Sequence, residues 1–389
     1  MMRHKAIYLD TAEDTSRFLR SIENVDLLAL DTEGASFHRF VDRIYLLQLS
    51  TRDQTAVMDP LPIGAPEELG RVLEDPNVEV VFHDADYDLR LLRRDYGWQV
   101  RNIFDTRVAA QLLGMRAFGL AALLEKYFGV KLDKKHQRAD WSMRPLTPDM
   151  LEYAAQDTMH LLGLRDRLAE DLKRAGRWSW AREEFARLEQ TRWQDEDEST
   201  AFLRIKGARD LNRRELAVLR ELVNWRNEVA RRADRATFRV IGNDPLFDIA
   251  RLRPTTREGL SGVKGMPRSL LERAAPDVLE AVKRGVELPD AELPRFPKAV
   301  RWERDPDFDA RATALRTVRD AAATRLDLDP GVLCSRDRLE AVARRNPTTM
   351  EGLREIPELR QWQVEELGPA FLAALAPHRK AEQSAHNPM

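Results

Sequence analysis

One short string occurs twice and constrains the whole second half of the chain. Pro254-Thr255-Thr256-Arg257-Glu258-Gly259-Leu260 returns as Pro347-Thr348-Thr349-Met350-Glu351-Gly352-Leu353, an offset of 93 residues. Just upstream, Ile249-Ala250-Arg251 matches Val342-Ala343-Arg344 at the same offset. A unit of roughly 80–90 residues is far longer than solenoid repeats of about 20–50. The spacing therefore predicts two copies of one helical domain, at residues 204–290 and 305–380. A charged, Pro-rich linker around Pro289, Pro294, Pro297 and Pro306 joins them. Thr255 with Glu258, and Thr348 with Glu351, read as capping boxes that start a helix in each copy.

The first half has a different grammar. Leu27–Asp31, Ile44–Ser50, Thr55–Asp59 and Val78–Phe82 are short apolar or β-rich runs bounded by polar, Gly or Pro residues. The first three lie close enough for an antiparallel meander, and the N-terminus leads into a further strand. Helical patterns follow at Glu67–Leu73, Ala85–Arg94 and Thr106–Leu113. A later helix starts at Thr147 as N-cap with Pro148 at the first helical position. Its apolar spacing continues through Leu151, Ala154, Ala155, Leu161, Leu162 and Leu168. An α/β domain over residues 1–195 is predicted, ending near the acidic break at Asp195 to Glu198.

Bulk properties narrow the class. No run of eighteen apolar residues occurs and the N-terminal stretch has no secretory h-region, so a protein without a membrane span or a secretory leader is expected. Cys334 is the single cysteine, which excludes disulfide scaffolding and thiolate zinc sites and points to the reducing cytoplasm. The formal net charge of −2 hides a partition. Residues 1–203 hold 28 basic and 36 acidic side chains, whereas residues 204–290 hold 19 and 13. The basic surplus of the first helical copy would attract a polyanion.

Against that background, carboxylates in three segments of the α/β half stand out. Asp31 and Glu33 end a strand, where residues two apart share a face. In His83-Asp84-Ala85-Asp86-Tyr87-Asp88, helical phase separates the acids. Asp84 reads as the helix N-cap, Asp86 shares a solvent face with Arg90 and Arg93, and Asp88 borders the buried stripe. Tyr153 and Asp157 stand one turn apart on one helix face. Hard oxygen ligands converging from several elements suit Mg²⁺ or Mn²⁺. Two such ions about 3.5–4 Å apart are the usual device for cleaving phosphodiesters, so the segments together predict nucleic-acid hydrolysis.

These residues resemble a known family. Asp31-x-Glu33, Asp88 and Tyr153-x-x-x-Asp157 look like the three motifs of the DEDD exonuclease superfamily, tyrosine subclass. Asp140-Trp141-Ser142-x-Arg144-Pro145-Leu146-Thr147, running into Tyr153-Ala154-Ala155-x-Asp157, is similar to ribonuclease D. The helical copies resemble HRDC domains, and the likeness covers roughly residues 5–380. It implies an RNase H-like α/β domain, a mixed sheet flanked by helices, followed by two all-α HRDC bundles. It implies that Asp31, Glu33 and Asp157 hold one of two divalent metal ions, that Asp31 helps hold the other, and that Asp88 acts on the second directly or through water. Tyr153 would orient the attacking water. The implied activity is 3′→5′ exoribonucleolysis releasing 5′-mononucleotides from RNA with a free 3′ end, such as tRNA precursors, without an obligate protein partner.

Three rivals are weighed against this reading: a DNA exonuclease of the same chemistry, a non-catalytic RNA-binding scaffold, and a general helical interaction protein, which would leave the acidic residues unexplained. No Walker-type G-x-x-x-x-G-K-[ST] occurs, which favours a freestanding nuclease. Lys134, Lys135, Gln137, Trp141 and Arg144 are candidates for contact with RNA, Trp141 equally for the core. His83 is expected to make a structural hydrogen bond, Asp105 to cap a helix, and Cys334 to be inert.

Overall fold

The computed structural model describes residues 6–133, 135–194, 197–297 and 305–378. Lys134, Asp195 and Glu196 of the acidic break, and part of the Pro-rich linker lie outside this set. Six strands form one sheet in the order β1-β4-β3-β2-β5-β6. They are β1 (Ile7–Leu9), β2 (Leu27–Glu33), β3 (Leu46–Ser50), β4 (Thr55–Met58), β5 (Glu79–Phe82) and β6 (Ile103–Asp105). β2–β3 and β3–β4 are antiparallel, giving the predicted meander, while β1–β4, β2–β5 and β5–β6 are parallel. The sheet is mixed. With three residues, β6 is too short for an alternation to announce it in the sequence.

Strand alternation divides the core. Leu28 and Leu30 of β2 face a cluster with Leu19, Leu69 and Leu91, from helices α1 (Ala12–Ser21), α3 (Glu67–Glu74) and α4 (Asp86–Tyr96); α2 (Pro60–Ile63) is a single turn. Ala29 faces the other way, into a cluster with Ala110, Leu123, Leu164 and Phe185. These belong to α5 (Thr106–Leu112), α6 (Leu120–Phe128), α8 (Leu161–Arg174) and α9 (Trp178–Leu188). Between them, α7 (Pro148–Met159) covers β3 and β4 with Ala154 and Ala155. The single helix expected from Thr147 to beyond Leu168 is broken at His160, which ends α7 and precedes α8. Thr147 caps it as expected, accepting from the N–H of Met150 at 3.3 Å.

The second half is helical among the described residues. α10 (Arg213–Arg232), α11 (Asn243–Leu252), α12 (Arg257–Ser261) and α13 (Arg268–Glu287) form the first copy. The second consists of α14 (Phe308–Leu326), α15 (Pro330–Leu333), α16 (Arg336–Arg345), α17 (Met350–Arg354) and α18 (Gln361–Leu375). The repeated strings do start helices, but the capping hydroxyls are those of Thr256 and Thr349, each one residue later than expected. Two adjacent threonines offer the same chemistry, and only the backbone turn selects between them.

Both copies touch the α/β domain. In the second, Trp362 stacks on Trp180 with centroids 4.6 Å apart. Glu183 accepts from the N–H groups of Gln361 and Trp362 at the start of α18, an anion at a helix N-terminus. Gly114 allows close approach here: at φ +77°, a Cβ would lie 2.1 Å from the carbonyl oxygen of Asp327. The first copy meets the loop after β2, where the N–H of Ala236 donates to the carbonyl of His38 at 3.1 Å.

Candidate active site

The geometry of β2 creates the site. Its pairing with β5 ends at Ala29, while that with β3 continues to Glu33. The last four residues of β2 are therefore free of a strand on one side, and their side chains share the face of Ala29 at Asp31 and Glu33. α7 packs across this face and brings Asp157 inward. Asp31, Glu33 and Asp157 each offer one oxygen within 4.8 Å of the others. Residues more than a hundred positions apart thus meet at one point.

Asp88 is not part of this trio. It lies in the first turn of α4, 7 % exposed. One of its oxygens accepts both the N–H of Thr32, at 3.1 Å, and the Thr32 hydroxyl, at 2.5 Å. Thr32 has no strand beside it on that edge, so Asp88 satisfies a backbone donor that would otherwise be orphaned.

Electrostatics set these four acids apart. Burial, with the neighbouring Asp157 charge behind it, holds the Asp31 carboxyl well above its usual range. Burial followed by the charges of Asp31, Asp157 and Asp88 does the same for Glu33. Asp88 is raised by burial and Asp31, against the opposing pull of the Thr32 hydrogen bonds. Asp157 is pushed up to about 7 by burial and the Asp88 charge. The cavity lined by Asp31, Glu33 and Asp157 has a volume of about 490 Å³ and is also lined by His83, Gln137 and Tyr153. Among the described residues, no Lys or Arg lines it. Clustered carboxylates without a cation repel one another and resist ionisation, and all-oxygen donors fit hard divalent ions. The residues present therefore fit such ions.

Tyr153 borders the cavity from α7. Its ring packs against Trp141, with centroids 6.1 Å apart, and edge-on to His136 at 5.8 Å. Burial and then the charges of Asp157, Glu33 and Asp31 raise its phenol, so the metal-free site keeps the hydroxyl protonated and able to donate.

The other expectations divide. His83 meets the hydroxyl of Thr106 at 2.9 Å, and burial lowers its imidazole to about 4. Asp86 pairs with Arg90 on the surface. Cys334 is buried, which pushes its thiol up to about 11. Asp84 does not cap α4. It adopts φ +70° and pairs with Arg107, leaving the capping to Asp105. That carboxylate accepts from the N–H groups of Asp84, Ala85, Arg107 and Val108, at 2.8–3.3 Å, and so fixes the starts of α4 and α5 together.

Of the candidates for RNA contact, Gln137 lines the cavity. Lys135 is exposed and pairs with Asp149 at 3.1 Å, and Lys134 is outside the described residues. Trp141, 1 % exposed, cannot reach a base; it packs with Tyr45, Leu46 and Ala154. Arg144 is bound to buried Asp59 and to the carbonyls of Tyr45 and Trp141. Two residues escaped the sequence reading. Thr32 is one, and Gln48, opposite Asp31 in the β2–β3 ladder, is the other. Gln48 is fully buried, and its carboxamide has no hydrogen-bond partner among the described residues. A polar residue inside the apolar run Leu46–Ser50 is the signal that could have flagged it.

Comparison with known proteins agrees with this geometry. Residues 6–173 match the 3′–5′ exonuclease domain family, and residues 215–282 and 308–375 match the HRDC domain. The ribonuclease D of Gluconacetobacter diazotrophicus is 31 % identical over 94 % of this chain and 92 % of its own length. That of Pseudomonas paraeruginosa is 32 % identical over 90 % and 92 %. The chain belongs to the ribonuclease D family. Ribonuclease D of Escherichia coli, whose crystal structure is described as that of an exoribonuclease involved in structured RNA processing, superposes with a TM-score of 0.72. It is 25 % identical, over 97 % of this chain and 100 % of that one. A family member with this domain order and acidic pocket is a 3′→5′ exoribonuclease.

Proposed function

We propose that this protein trims structured RNAs, tRNA precursors among them, from a free 3′ end in the cytoplasm, releasing 5′-mononucleotides. Catalysis falls to residues 1–195, nucleic-acid contact to the basic helical copy at 204–290, and packing or spacing to the neutral copy at 305–380. The observation that carries it is the meeting of Asp31, Glu33 and Asp157 within 4.8 Å.

Asp31, Glu33 and Asp157 would hold one divalent ion, Mg²⁺ or Mn²⁺, and Asp31 with Asp88 a second. Such ions supply an activated water and neutralise the charge that develops on the scissile phosphate. The protein's own part is placement. β2 fixes Asp31 and Glu33 on one face, Thr32 holds Asp88 at the margin, and α7 brings in Asp157 together with the Tyr153 hydroxyl. That hydroxyl would hydrogen-bond the attacking water, a role supported by its position on the cavity wall. Glu33, at the open end of β2, would lie nearest the terminal 3′-hydroxyl and restrict cleavage to chain ends.

The test is digestion of a 3′-extended tRNA, an unstructured RNA and a matched DNA with Mg²⁺ or Mn²⁺, with products sized. Mononucleotides from RNA, lost in Asp31→Asn, support the reading. Internal fragments, or full activity of that variant, would overturn it.

A further inference from the structure

Ten large apolar side chains are exposed among the described residues, and half of them gather at one place. Phe37 and Val41 lie on the loop after β2, Tyr87 donates to Asp42 of that loop, and Met143 contacts Arg39 of the same loop. The fifth, Phe238, comes from the first helical copy and meets Phe37 edge to face, with centroids 6.4 Å apart and planes at 75°. Phe37 is 48 % exposed and Phe238 53 %. Clustered exposed apolar groups mark an interaction site.

The surroundings say what kind. The Arg138 guanidinium sits 5.5 Å from the centre of the Phe37 ring. Arg239 donates to the carbonyl of Phe37 at 2.5 Å and contacts the His38 ring. Arg43 follows on the same loop. Among the described residues, none of these three arginines has an acid within ion-pair distance. Half-exposed aromatic rings among uncompensated arginines are the composition of a single-strand nucleic-acid surface, where bases stack and phosphates pair with cations. Two chain connections tie the patch to the cavity. Phe37 is four residues from Glu33, hence within about 14 Å of it even when extended. Arg138 directly follows Gln137, which lines the cavity.

We propose that Phe37 and Phe238 form a base-stacking step for the single-stranded 3′ tail of the substrate, a few nucleotides upstream of the scissile bond, with Arg138 and Arg239 pairing its phosphates. The step spans two domains, so the catalytic domain alone holds half of it. This rests on the exonuclease reading above, and it accounts for a tail being gripped before its end reaches the carboxylates.

The experiment measures binding of a fluorescent single-stranded RNA decamer in EDTA, which needs no turnover, beside kcat/KM for a dinucleotide and a decamer with Mn²⁺. Phe37→Ala and Phe238→Ala should each weaken decamer binding about tenfold or more. Dinucleotide kcat/KM should hold, because that substrate ends short of the patch. Phe238→Tyr should restore binding, and Arg138→Ala should flatten its salt dependence. Loss on both substrates alike would reveal a displaced domain and overturn the proposal. Unchanged decamer binding would assign the patch to a protein partner and overturn it as well. Wild-type protein that binds the decamer through these rings yet digests neither RNA would sink the exonuclease reading and leave the stacking step standing.

Discussion

Thr32 gives two hydrogen bonds to one oxygen of Asp88, from its amide at 3.1 Å and its hydroxyl at 2.5 Å. The strand that carries Asp31 and Glu33 is thereby tied to the helix that carries the fourth acid, across 56 residues of sequence. The tie also has an electrostatic side. Burial raises the Asp88 carboxyl, and the two donors work in the opposite direction. A hydrogen bond to a charged group contributes about 1.5–3 kcal/mol, so the hydroxyl favours the ionised form that a cation needs.

Thr32→Val keeps the β-branched shape and deletes that donor. The acid limb of the pH–rate profile, measured at saturating Mn²⁺, should move upward by about one unit. A profile superimposable on wild type would show that Asp88 does not depend on Thr32 for its charge.

Asp157 makes a sharper prediction, because its carboxyl is pushed up to about 7. In the unfolded chain it would release its proton near about 3.9. Between those values the folded protein binds more protons than the unfolded one, so stability falls as pH rises. This contribution is full below about pH 4 and is lost as pH passes 7. Asp157→Asn carries no charge to desolvate. In EDTA its stability should match wild type near pH 4 and exceed it at pH 8 by of order a few kcal/mol. The same variant should lose at least about 10³-fold in kcat. Equal melting temperatures at both pH values would refute the buried-charge account.

These contrasts show which residues the sequence could reveal. Asp31 and Glu33 were legible because a strand's period of two puts them on one face. Asp88 was separated from Asp84 and Asp86 by helical phase alone, and Tyr153 with Asp157 by an i, i+4 spacing. Each relation is local, and periodicity carries local relations. What stayed hidden is set by tertiary neighbours. Asp105 caps α4 from the end of another strand, which no spacing near Asp84 could announce. Trp141 fits a base-stacking surface and a core equally well until its neighbours are known. The break at His160 leaves the apolar spacing of α7 and α8 uninterrupted, so a helical pattern alone runs straight through it.

Tyr153 tests placement apart from cation binding. Trp141 and His136 hold its ring, so Tyr153→Phe should leave the ring where it is and remove only the hydroxyl. A decrease in kcat of about 10²-fold is expected, within the range for a positioned proton-handling group. The Mn²⁺ concentration giving half-maximal rate should change little. A large rise in that concentration would make the tyrosine a support for the ions rather than for the water.

Arg144 separates structure from substrate binding. Its Nε and Nη2 donate to Asp59 at 2.5 and 2.8 Å, and Nη2 also donates to the carbonyl of Tyr45 at 3.0 Å. Asp59 is 1 % exposed; burial opposes its charge, yet the hydrogen bonds from Arg144 and Tyr8 hold its carboxyl below the usual range. Arg144→Leu would strand that buried carboxylate, and breaking one partner of such a pair costs about 3–5 kcal/mol. Adding Asp59→Leu should recover much of the loss, since an apolar pair of similar volume replaces a buried ion pair at little cost. Chemical denaturation of the two single variants and the double variant measures the coupling. The double variant should also bind a single-stranded RNA decamer as wild type does. If it folds well and binds RNA markedly less, the guanidinium reaches the substrate and its role is not confined to anchoring Asp59.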